Sequence, residues 1–273
     1  MLWTEEIDLP NFWAHRICAG VTLDRLEGSP AAELIRQYAV SYRLGSQGAD
    51  ILYFRPTQFI RGRKGVVYHA KMLHAQPVEK LAEMSRAYLT GTAGRRQFGS
   101  TFAYICGFLC HHAVDQRVHP YIERHTSRLM KHRRIELDFD AYLAAVMGVK
   151  PDRNRKYWAG MTDFVGLAGM ALWYNHMFHD LYSKRFSLKS YKRDYKAMKR
   201  VSAIINRPKR LEKVKYNDKA VLTERELHAM QEAALKGAAA AAVLINQLYM
   251  ELAPYIPEET HTVPLGEAEQ WAI

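Results

Sequence analysis

The sequence predicts an all-α protein, a multi-helix bundle. Apolar residues recur at helical spacing in almost every segment, and no stretch of useful length alternates apolar with polar as a half-buried strand would. Glycine, proline and Ser/Thr residues also fall where helices should start and stop. "AAELIRQYAVSYRLGSQGAD" carries Leu34, Ile35, Tyr38, Tyr42 and Leu44 and then a Gly-rich stop. "PVEKLAEMSRAYLTG" opens on Pro77, suited to a first helical turn, and closes on Gly91. "STFAYICGFLCHHAVDQRVHP" starts at a Ser/Thr cap candidate and is expected to stop before Pro120. "HRRIELDFDAYLAAVMG" is amphipathic and ends at Gly148. The segments "DFVGLAGMALWYNHMFHDLYS" and "SYKRDYKAMKRVSAIIN" follow. The Ala-rich "LTERELHAMQEAALKGAAAAAVLINQLYMELAP" begins with a capping box in "TERE". "GVVYHAKML" is the one place for a short extended piece, and the tail "EETHTVPLGEAEQWAI" reads as irregular.

A chain of 273 residues suits one large domain or two small ones. The polar stretch "VKPDRNRKYW" separates residues 1–150, which hold the metal-type side chains, from residues 151–273, a helical basic extension expected to pack within the same domain. Hydrophobic residues make up 48% and charged residues 25%, values of an ordinary soluble globular protein. No apolar run approaches the roughly 20 residues that span a bilayer. The N-terminus carries acids rather than a basic region before an apolar core, so no secretory signal is expected. Cys18, Cys106 and Cys110 are an odd set, expected as free thiols in a reducing cytoplasm. The expected location is therefore cytoplasmic, with peripheral membrane contact as the alternative.

The formal net charge of +11 is unevenly placed. From Lys184 to Arg225 there are 15 Lys and Arg against 4 Asp and Glu, and the rest of the chain is balanced. Segment 184–225 could attract nucleic acid, an anionic membrane surface or an acidic partner, or it could be a solvated helical face. Tyr191 and Tyr195 offer a thin aromatic platform for single strands there.

Helical geometry shapes the stretch "CGFLCHHAVDQRVHPYI". Residues four apart share a helix face, so His111, Asp115 and His119 form one row, while His112 points about 100° away. "HRRIELDFD" repeats the device with His132, Glu136 and Asp140. Two such rows on facing helices could close metal sites in a bundle core. Imidazole with carboxylate suits Zn²⁺ or another first-row divalent ion. The bland alternative is hydrogen-bonded pairs without metal. His176 and His179 are a weaker pair, read as a polar turn near a helix end.

In order, "NFWAHRICAG", "LGSQGADILYF", "GRKGVVYHAKML", "GFLCHHAVDQRVHP" and "HRRIE" make the chain resemble the zinc-dependent phospholipase C family and its relatives, the zinc-dependent single-strand nucleases. The landmarks run through residues 12–140 and look closest to the family's intracellular bacterial branch. The resemblance implies a bundle of the phospholipase C/nuclease type with metal ligands on facing helices. It implies one ion on Asp50, His69, His111 and Asp115, a second on His119, His132 and Glu136, and a third on His15 with Asp115 as a bridge. His74 in "YHAKMLH" competes with His69. Two or three Zn²⁺ ions are therefore expected. The implied activity is phosphodiester hydrolysis by metal-bound hydroxide, with Asp50 as the catalytic group that orients or deprotonates water. The substrate would be a phospholipid or nucleic acid, and Tyr53 and Phe54 could line its mouth or pack in the core. The alternatives are a nuclease or nucleotide phosphodiesterase on the same cluster, or a non-catalytic metal-binding protein that binds a partner through its basic helix. Two departures stand out. Secreted members use a mature N-terminal Trp as a ligand, whereas here Trp3 follows Met-Leu. The step from Asp115 to His119 is also two residues shorter than in the secreted enzymes, which would change the helix exit.

Overall fold

The centre of the protein is one long helix, α7 (Phe98–His125), nearly every residue of which is buried from Phe98 to Asp115. A helix apolar on all sides must be wrapped by others. The computed structural model describes residues 13–54, 66–125, 129–149, 164–205 and 222–261. Among these there is no strand. Before α7 come α1 (Trp13–Arg25), α2 (Pro30–Gln37), α3 (Ala39–Gly45), a 3₁₀ segment (Gly48–Phe54), α4 (Val66–His74), α5 (Val78–Thr90) and the short α6 (Thr92–Arg95). After it come α8 (Leu129–Val146), α9 (Phe164–Tyr182), α10 (Leu188–Ile205) and α11 (Glu224–Leu252). α11, α3, α1, α5, α2, α9 and α8 all pack on α7.

Small residues let these helices touch. Gly107 of α7 faces α3 so closely that a Cβ there would lie 2.7 Å from the Ser46 backbone nitrogen, and Gly45 meets the Tyr104 carbonyl in the same way. On the other side, a Cβ on Gly237 of α11 would lie 2.8 Å from the Ala113 carbonyl oxygen. By length and composition α11 could cross a membrane. In this fold its Leu227, Met230, Ala234, Ala238, Ala241 and Ile245 are buried. Its expected capping box forms: the Thr223 hydroxyl accepts from the Glu226 N–H, and the Glu226 carboxylate accepts from the Thr223 N–H at 2.8 Å. Cys18, Cys106 and Cys110 are buried free thiols.

Several expected boundaries move. α7 does not stop before Pro120 but runs through it to His125. Val118 and Ile122 continue the buried stripe on both sides, and this packing outweighs the ~3 kcal/mol that an interior proline costs. From Val66 on, "GVVYHAKML", the one place where a short extended piece could sit, lies in α4, with Ala70 and Leu73, three apart, fully buried on one face. The single helix expected from Ala31 is broken at Tyr38 (φ −117°, ψ 38°) into α2 and α3. α8 ends as expected at Gly148, whose φ of +66° favours glycine. The tail read as irregular from Glu258 instead opens with a 3₁₀ turn, Glu258–His261, and its remainder, like most of the boundary near residue 150, lies outside the described residues.

Candidate metal centre

The row His111, Asp115, His119 points from α7 into a space walled by α1, the 3₁₀ segment, α4 and α8. His111 is fully buried and Asp115 nearly so. Gly48 sets the position of His111: its φ is +55°, and a Cβ there would run into the His111 ring. The Gly48 carbonyl accepts from the Tyr174 hydroxyl at 3.0 Å, and Tyr104 donates to Tyr174 at 3.0 Å. This chain braces the segment that carries Asp50.

Among the described residues three groups of ligand atoms result, each with its members within 4.8 Å of one another. The first is His15, His111 and Asp115; the second is Asp50, His74 and His111; the third is His119, His132 and Glu136. Asp115 bridges. Its Oδ1 lies 3.2 Å from His15 Nε2, and its Oδ2 lies 3.2 Å from His111 Nε2 and 3.7 Å from His119 Nε2. Asp50 Oδ1 lies 3.1 Å from His74 Nε2. His132 Nε2 and Glu136 Oε1 are 2.9 Å apart. The third group assembles on residues the sequence named, across the shortened step from Asp115 to His119.

The donor set suits a cation. His74 Nδ1–H donates to the Ala70 carbonyl at 2.9 Å, and His111 Nδ1–H donates to the Ser46 carbonyl at 3.3 Å. Each bond fixes the tautomer and leaves Nε2 as the lone-pair nitrogen. Those two Nε2 atoms face each other at 3.2 Å, with Asp50 and Asp115 beside them. Two lone pairs cannot satisfy one another. Either a proton or a metal ion must stand between them.

The electrostatics report the same demand. Burial pulls the His74 imidazole down, but the hydrogen bond and charge of Asp50, with Asp115, outweigh it and raise it to about 9. Burial likewise lowers His15, yet Asp115 raises it overall. His111 is lowered by burial and by the charge of His15. Burial pushes Asp115 up, but His111, His119 and His15 hold it well below the usual carboxylate range. Asp50 is lowered against burial by His111 and His74. Glu136 is raised by burial, which its hydrogen bond to His132 only partly offsets.

The structure brings together His15, Asp50, His111, Asp115, His119, His132 and Glu136. The histidine on α4 that joins them is His74; the side chain of His69 lies outside the described residues. Tyr53 stacks on His74 with ring centroids 5.7 Å apart, while Phe54 is core. Asp140 continues the α8 row but faces α1 instead. Its Oδ1 accepts from the Ala14 N–H at 2.6 Å, which pins the helix start beside His15. Burial, against the Ala14 and Trp13 N–H groups, raises Asp140 to about 7. His112 is turned aside as expected, but it is not idle. Its Nε2 bonds the Leu73 carbonyl at 2.9 Å, and its ring stacks on His74 at 5.2 Å. His176, half-buried, lies 3.4 Å from the exposed Asp180 carboxylate one turn along α9. Trp3 lies outside the described residues.

Fold and site together define an all-helical protein with three adjacent His/carboxylate groups suited to divalent metal. A family model for zinc-dependent phospholipase C matches residues 14–195, about two thirds of the chain, and the chain belongs to that family. No curated protein and no solved structure matched it.

Proposed function

We propose that the chain is a metal-dependent phosphodiester hydrolase acting on phospholipids. The observation that carries this reading is the facing pair of His74 and His111 Nε2 atoms, 3.2 Å apart and flanked by two carboxylates. His15, Asp50, His74, His111 and Asp115 would hold ions on one side, and His119, His132 and Glu136 on the other. Divalent ions bound there would supply positive charge to phosphoryl oxygens and lower the pKa of water.

The chain's own groups do the positioning. Asp115 presents Oδ1 to His15 and Oδ2 to His111 and His119, and so links the first group to the third. Asp50, whose carboxyl is held below its usual range against burial by His111 and His74, would orient an attacking water. Tyr53, stacked on His74, narrows the approach to that ring. Phospholipid is preferred over single-stranded nucleic acid because Tyr191 and Tyr195 are buried, so neither offers a face to a base.

The test is metal analysis followed by assays on phosphatidylcholine, bis-p-nitrophenyl phosphate and single-stranded DNA, with and without added Zn²⁺. Tightly bound zinc with zinc-dependent hydrolysis of the first two is expected. Bound metal with no hydrolysis of any of them would instead support a non-catalytic metal-binding protein.

A further inference from the structure

We propose that the outer face of α10 is a docking surface for an anionic lipid bilayer. α10 is two-sided. Tyr191, Asp194, Tyr195 and Met198 are buried, whereas Lys189, Arg193, Lys196 and Arg200 are exposed. These four basic residues follow one another at steps of four, three and four, which puts them in a single row along the helix. At 1.5 Å per residue the row is about 17 Å long. With Lys192, Leu188 and Ala197 they line an open concavity. α10 itself carries six Lys and Arg against one acid, Asp194, which is buried, so this helix presents net positive charge to its exposed side.

The chemistry of the row selects the partner. A linear array of exposed basic side chains complements a continuous sheet of lipid phosphates. Single-stranded nucleic acid would require aromatic faces beside the charges, and the two tyrosines of α10 point into the core. The placement also fits. α10 packs directly on the 3₁₀ segment Gly48–Phe54, which carries Asp50. A bilayer held on the outer face would therefore lie about one helix diameter, ~10 Å, from that wall of the metal centre. Docking requires no turnover, so its test is separate from that of the proposed activity.

The experiment is co-sedimentation of the full chain with vesicles of phosphatidylcholine containing phosphatidylglycerol, and with phosphatidylcholine alone. Binding to the anionic vesicles only, weakening as salt rises, is expected. Neutralising Lys189, Lys196 and Arg200 together to Gln should lower partitioning about 100-fold, and Lys196→Gln alone about 5-fold, from the attraction of each basic residue to an anionic leaflet. The single variant keeps the test decisive if the triple variant folds poorly. Equal binding to both vesicle types, anionic binding undiminished in the variants, or binding to DNA but to neither vesicle would overturn the proposal.

Discussion

His74 and His111 meet through their Nε2 atoms, and each is held from behind by a backbone carbonyl. Removing one ring removes a donor and leaves the carboxylates short of positive charge. His74→Ala should lower zinc affinity by more than the roughly 10- to 100-fold that an outer partner costs, read by competition with a chelator. The same imidazole sets a pH dependence. Its value is raised from 6.5 to about 9 in the metal-free protein. It therefore contributes stability that is fully present below about 6.5 and lost as pH rises through about 9. Zinc must displace that proton, so its affinity climbs over the same window. The increase in Tm on adding zinc should be larger near pH 9 than near pH 6.5. Gly48 is a third test. Gly48→Ala forces a Cβ toward the His111 ring at a φ of +55°. We expect a loss of at least about 1–2 kcal/mol in denaturant unfolding, together with weaker zinc binding.

At the scale of elements, the rows on α7 and α8 were legible because a helix converts a four-residue spacing into a shared face. His111, Asp115, His119, His132 and Glu136 needed only that rule. The ligand on α4 was harder to assign. "YHAKMLH" holds both His69 and His74, and no local pattern fixes the phase that points Leu73 into the core and His74 to the site. α1 was also missed, because its buried face is made largely of small residues and its start is anchored from far along the chain. Asp140 provides that anchor, 126 residues away, a contact no local pattern encodes. Asp140→Ala should cost about 1–2 kcal/mol in thermal or denaturant unfolding, since it leaves the Ala14 N–H without its acceptor. It should also lower the zinc held at His15 while sparing the group on His119, His132 and Glu136, which a count of bound metal per chain would show.

Across the whole molecule, the fold class followed from composition and periodicity, but the order of packing did not. Glycines at helix crossings look neutral in a sequence. Here Gly237 lets α11 rest on the backbone of α7. Gly237→Leu should cost about 1–3 kcal/mol of stability, measured by urea unfolding, by prising those helices apart.

The centre draws its groups from five separate elements: His15 on α1, Asp50 on the 3₁₀ segment, His74 on α4, the row on α7, and His132 with Glu136 on α8. Ions bound there would act as many-armed cross-links between parts of the chain far apart in sequence, stabilising the folded state by mass action. Chelation should then loosen the molecule unequally. Backbone amides of α1 and α4, tied to the rest partly through the site, should exchange with deuterium much faster once metal is withdrawn. Those where α7 meets α11, locked by direct backbone contact, should scarcely change.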